Sequence, residues 1–150
     1  MEKNAVVSII EKIVGTDKIE YISGEIQNCG TKNCTMSGDR GSVYGVAIQL
    51  KGIEKDTFFE SLQSKKQNVK KEKWITVGED FYPLYWGIDK NMGSRLMAHI
   101  NSYKSTGALQ LNVLSMGKYK IVYGAMPCLN REIHERTLKK RFPDILKTKK

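Results

Sequence analysis

The chain has 150 residues, with 25 Lys and Arg against 16 Asp and Glu, a formal net charge of +9. That length suits one compact domain with its own core. The composition excludes a disordered chain, and apolar runs of only a few residues exclude a transmembrane helix.

The start, Met1-Glu2-Lys3-Asn4, lacks the basic-then-apolar pattern of a signal peptide, so a cytoplasmic protein is expected. The charge surplus favours a polyanionic partner, most simply nucleic acid, against the plainer reading of a soluble basic surface. An anionic membrane is disfavoured, because no basic amphipathic helix with large apolar anchors is visible. Cys29, Cys34 and Cys128 are the three cysteines. An odd count without a leader argues for reduced thiols rather than a disulfide framework. A zinc site would need Cys128 with His134 or His99 to complete it, and reduced structural cysteines are the better reading.

In chain order, Val6, Val7, Ile9, Ile10, Ile13 and Val14 predict a short amphipathic helix stopped by Gly15. Residues 18–26 alternate loosely and read as a strand, and residues 27–41 read as loop. Residues 1–40 together form an expected accessory layer. The first core strand is expected over residues 42–50. A helical turn at 57–62, a lysine-dense run at 65–73 and a short strand at 74–77 follow, within an insert spanning 51–82. The lysine run (Lys65, Lys66, Lys70, Lys71 and Lys73) is either a solvated surface or, with Trp74 beside it, a track for a phosphate backbone. Residues 83–89 form the second strand, and a helix carrying Arg95 runs to Tyr103. Residues 108–114 are open between helix and strand, and 119–126 form the third strand. Asn130 opens a last helix over residues 131–142, with Ile133, Leu138 and Phe142 as its apolar face and Pro143 closing it. A basic tail occupies 146–150. The order strand, insert, strand, helix, strand, helix predicts an α+β fold with a three-stranded sheet flanked by helices.

Phosphoryl chemistry needs a base, a cation on the phosphate and a group on the leaving oxygen. Tyr44 and Tyr85 lie on adjacent expected strands, and Arg95 and His99 share one helix face at a spacing of four. Arg forks onto two phosphate oxygens. A tyrosine serves as a base only when a nearby cation lowers its pKa. Glu132 and Glu135 lie three apart on the last helix, and one carboxylate with phosphate oxygens and water is the usual cradle for Mg²⁺. The plainer alternative makes the tyrosines core residues, Arg95 solvated, and the glutamates partners of Arg136 and Lys139 at i,i+4.

The spacing Tyr85-Trp86-Gly87 with Arg95 eight residues later resembles the second motif of the GIY-YIG nucleases, and His99 resembles a histidine of their homing-endonuclease and restriction-enzyme branches. Ser42-Val43-Tyr44 resembles the first motif, with Ser42 in place of glycine. Glu135, followed by Leu138-Lys139 and Pro143, resembles the metal-binding glutamate. The likeness covers residues 41–145. It departs from the pattern in the 40 residues between Tyr44 and Tyr85, and in Lys147 where an asparagine is common. It implies a metal-dependent endonuclease using Mg²⁺ or Mn²⁺ on nucleic acid, double-stranded DNA first. Tyr44, Tyr85, Arg95, His99 and Glu135 would be catalytic, and Gly87 would let the backbone approach the site. The insert and tail would grip the duplex, with specificity from the insert, the N-terminal layer or a homodimer. A non-cutting nucleic-acid-binding module on the same fold and a basic protein adaptor are the alternatives.

Overall fold

A computed structural model describes residues 3–15, 21–25, 41–61, 70–90 and 119–145. Strands β1 (Ile22–Glu25), β2 (Ser42–Gln49), β3 (Phe81–Asp89) and β4 (Ile121–Pro127) form one antiparallel sheet, ordered β1-β4-β2-β3. Helices α1 (Ala5–Val14), α2 (Glu54–Ser61) and α3 (Arg131–Arg141) pack around it. The fold is α+β as expected, but the sheet has four strands rather than three. The added strand is β1, from the stretch expected to be accessory, which pairs with β4. The expected strand at 74–77 is absent; that stretch leads from a 3₁₀ turn at Lys71–Lys73 to an isolated bridge between Gly78 and Phe81. The helical turn expected at 57–62 is α2, which starts earlier.

The two inner strands are buried along nearly their whole length, so the sheet is covered on both faces. One face carries Val43, Ala47, Trp86, Val122 and Met126 against Val6, Val7 and Ile10 of α1 and Leu138 of α3. The other carries Tyr44, Val46, Ile48, Ile121 and Tyr123. On that second face the insert builds an aromatic layer. Phe58 of α2 stacks on Trp74 at 6.1 Å, and Trp74 meets Tyr82 at 5.0 Å. The indole N–H of Trp74 donates to the Pro83 carbonyl oxygen at 2.6 Å. Pro83 is tolerated because β3 is an edge strand, where a missing N–H costs no ladder bond.

Glycine opposite an aromatic ring recurs in this sheet. Tyr44 lies opposite Gly87, Trp86 opposite Gly45, and Tyr123 opposite Gly24. In each pair the ring lies over the glycine, and a Cβ there would collide with ring atoms. Large rings can therefore lie flat on the sheet instead of standing up from it.

α1 follows the expected boundaries. Asn4 Oδ1 accepts from the Val7 N–H at 3.0 Å, capping the helix, and its amide donates to the Tyr123 carbonyl oxygen at 2.9 Å. Gly15 ends the helix in the left-handed region at φ 68°. α3 differs from expectation on one face: Leu138 is buried and Phe142 half-buried, but Ile133 is exposed. Asn130 precedes α3 without a side-chain capping bond.

After α3 the chain returns to the outer margin of β3. The Trp86 indole N–H donates to the Phe142 carbonyl oxygen at 2.8 Å, and the Trp86 main-chain N–H donates to Asp144 Oδ2 at 2.9 Å. Phe142 packs with the α1 side and Ile145 with the opposite face, so this segment passes around the β3 edge.

Gly45→Ala is expected to lower stability by about 1–3 kcal/mol, because its methyl must displace the buried Trp86 ring. Urea unfolding of the two proteins measures this, and an unchanged midpoint would show that the Trp86 ring does not rely on the missing Cβ.

Candidate functional site

The pairing of β2 with β3 decides where the two candidate tyrosines stand. Val46 pairs with Tyr85 and Ala47 with Pro83, so Leu84 is an extra residue in β3. The bulge lets consecutive Leu84 and Tyr85 share one face, then sends Trp86 to the other. Tyr85 thereby joins Tyr44, with ring centroids 6.2 Å apart and planes at 40°. Tyr44 is buried and its phenol end lies over Gly87, whose absent side chain makes room for it. Tyr85 is half-buried. Gly87 thus has a role beyond backbone approach: it seats the Tyr44 ring.

α3 supplies the charged half. Lys139 lies with its ammonium 5.1 Å from the Tyr85 ring centroid, within cation–π range. The same ammonium is 3.8 Å from Glu135 Oε2 and 3.9 Å from Asp144 Oδ2. Asp144 is 1% exposed, its carboxylate turned onto the main chain of Trp86. Glu135, Lys139, Asp144, Tyr85 and Tyr44 therefore form one continuous cluster at the β3 edge. The Glu135–Lys139 pair is also the plain i,i+4 ion pair that the helix spacing allowed. Burial pushes the Glu135 carboxyl above its ordinary value; Lys139 opposes that rise and Asp144 adds to it.

The end of the sheet near Ser42 is polar as well. Ser42 and Asp89 are opposite one another and both buried. Among the described residues the Ser42 hydroxyl finds no hydrogen-bond partner. Arg131 folds over Gly41 and lies 3.7 Å from Glu132. Burial raises the nearby Cys128 thiol above its ordinary pKa, while the Val43 main chain and Arg131 pull it down. The thiol is therefore no activated nucleophile.

The remaining candidates divide in two. Arg95, His99, Lys65 and Lys66 lie outside the described residues, as do Cys29, Cys34, the helix expected to carry Arg95 and the basic tail. Lys70 and Lys73 are exposed, while Lys71 pairs with Asp56 at 3.2 Å. Trp74 corrects the sequence reading: it is 0% exposed, so its ring belongs to the aromatic core and offers no face to a nucleobase. The lysines beside it gave the false signal, since an indole at the foot of a charged run reads as exposed when the aromatic partners are distant in sequence. Lys139 and Asp144 were missed as members of the site. The i,i+4 spacing to Glu135 was the available signal for Lys139, whereas Asp144 had none, because its partner Trp86 is 58 residues away.

Among the described residues no group of three or more His, Cys, Asp or Glu is placed to hold a metal ion. No helix among them is long and apolar enough to cross a membrane. Comparison with protein-family models, curated proteins and solved structures finds no match.

A carboxyl whose pKa is raised by folding favours the protonated form in the folded state. Its contribution to stability is present at low pH and is lost as pH rises through the folded pKa. Glu135→Gln removes that loss. The stability difference between variant and wild type should therefore shift in favour of glutamine as pH rises above about 4.5, the ordinary value. Urea midpoints across this range measure the effect, and parallel pH profiles would show that the Glu135 pKa is not raised.

Proposed function

We propose that the protein is a metal-dependent endonuclease of the GIY-YIG type, acting on phosphodiesters of double-stranded DNA. The observation that carries this reading is the convergence at the β3 edge. Two tyrosines meet at 6.2 Å, and Lys139 links the outer one to Glu135. Tyr44 and Tyr85, with 40 residues between them in sequence, and a carboxylate from the last helix come together at this edge. The resemblance requires these residue types to share one site.

In this reading a water oxygen forms a bond to phosphorus while the bond to the 3′ oxygen breaks. The proton leaves the water toward Tyr44 and ends on the departing oxygen. The products are a 5′-phosphate and a 3′-hydroxyl. Tyr85, the more accessible ring, hydrogen-bonds the phosphate or the water. Arg95, six residues beyond β3, forks onto the phosphate and offsets its growing charge, and His99 supports the base. Glu135 is the residue that would hold Mg²⁺ or Mn²⁺, being a partly exposed oxygen donor of the kind these hard cations take. The ion would supply Lewis-acid stabilisation of charge on the leaving oxygen.

The Glu135–Lys139 ion pair favours a second reading. A carboxylate already matched by an ammonium suits a module that binds nucleic acid without cutting it.

Plasmid nicking with Mg²⁺ or Mn²⁺ separates the two. Wild type should cut, and Arg95→Ala and Glu135→Ala should each lose on the order of 100-fold or more in rate. Gly87→Ala should lose activity too, because its methyl displaces the Tyr44 ring. If wild type cuts neither DNA nor RNA, the nuclease reading fails; salt-sensitive DNA binding that survives would then support the module.

A further inference from the structure

We propose that the outward face of α3 is the surface on which double-stranded DNA lies. The proposal rests on the nucleic-acid reading above and adds the contact surface to it. Leu129, Ile133, Arg136 and Lys140 follow one another at steps of four, three and four, which makes them one stripe of the helix and its entry. Leu129 is 97% exposed and Ile133 55%, and Arg136, Lys140 and the adjoining Arg141 are exposed as well. Among the described residues none of these three cations joins an ion pair, whereas Lys3, Lys71, Lys120, Arg131 and Lys139 all do. The two acids of α3 are drawn to other cations, Glu132 lying 3.7 Å from Arg131 and Glu135 3.8 Å from Lys139.

The stripe is joined to the candidate site by the helix itself. Arg136 and Lys140 each follow a site residue, Glu135 and Lys139, by one position, which is about 100° around the axis. A phosphate bound at the candidate site would leave the neighbouring phosphates of the same backbone within reach of the stripe. Its composition selects the occupant. A second copy would bring these cations against a protein of net charge +9, whereas a polyanion is complementary. The exposed leucine and isoleucine suit thymine methyls and deoxyribose. The major groove of B-form DNA admits an α-helix, while that of A-form RNA is too narrow.

Fluorescence anisotropy with a labelled DNA duplex tests this, in EDTA so that no cleavage occurs, over about 50–200 mM salt. Arg136→Ala/Lys140→Ala should weaken binding roughly 10- to 100-fold and reduce the log–log salt slope by about 1.8, the loss of two phosphate contacts. Lys12→Ala, on the exposed side of α1, should leave both unchanged. Circular dichroism checks that each variant is folded, and Arg136→Gln/Lys140→Gln replaces the alanine pair if that one unfolds. The proposal is overturned if the folded stripe variant keeps its affinity and slope, if Lys70→Ala/Lys73→Ala carries the loss instead, or if duplex RNA binds as tightly as DNA. Cleavage is scored separately. Stripe-dependent binding without cutting upholds this surface and removes the nuclease reading; cutting with stripe-independent binding does the reverse.

Discussion

Trp86 holds the two halves of the molecule together. Its ring lies over Gly45 at the centre of the sheet, and its two N–H groups reach the chain beyond α3. Both donors would otherwise lie at a buried sheet margin, where an unpaired N–H costs about 1–3 kcal/mol. Satisfying them fixes Phe142 and Asp144, and with them the C-terminal end of α3. That end carries Lys139, so the distance between Tyr85 and the α3 carboxylate follows from what the indole requires. The strand and the helix are separate in sequence, and Trp86 sets their spacing through its indole and its main-chain N–H.

The Leu84 bulge complements that anchor. One extra residue turns Tyr85 toward Tyr44 and Trp86 toward α1 and α3. A regular strand cannot do both, because its side chains alternate strictly. The irregularity thus serves packing on one face and chemistry on the other. The charges follow the same geometry. Lys139 is shared by two carboxylates and an aromatic face, and burial raises the pKa of the partly buried Glu135 above its ordinary value.

Local pattern revealed much of this fold. The apolar spacing and Gly15 gave α1 its limits, and the runs around Tyr44, Tyr85 and Tyr123 gave β2, β3 and β4 to within a few residues. The motif order also pointed to the neighbouring strands that bring Tyr44 to Tyr85. What stayed hidden depended on partners distant in the chain. The strand read at residues 18–26 holds the four residues of β1, but its place in the central sheet is defined by its pairing with β4. Trp74 is a core residue because Phe58 and Tyr82 surround it. Ile133 stands five residues before Leu138, about 140° around the helix, so the sheet meets α3 through Leu138 and leaves Ile133 outside. Asp144 looks like an ordinary acid after a proline until Trp86 is seen against it.

The glycine–aromatic pairs have a consequence for how this sequence can change over time. A glycine under a ring and the ring above it occupy one volume, shared between two strands. A side chain cannot grow at Gly45, Gly87 or Gly24 unless the facing ring shrinks or leaves. Such positions drift as linked pairs, and each single step between two workable combinations passes through either a clash or a void. In relatives of this chain, Tyr44 with Gly87 and Trp86 with Gly45 should persist or be exchanged together, leaving a covariation signal between β2 and β3 even where overall identity has faded.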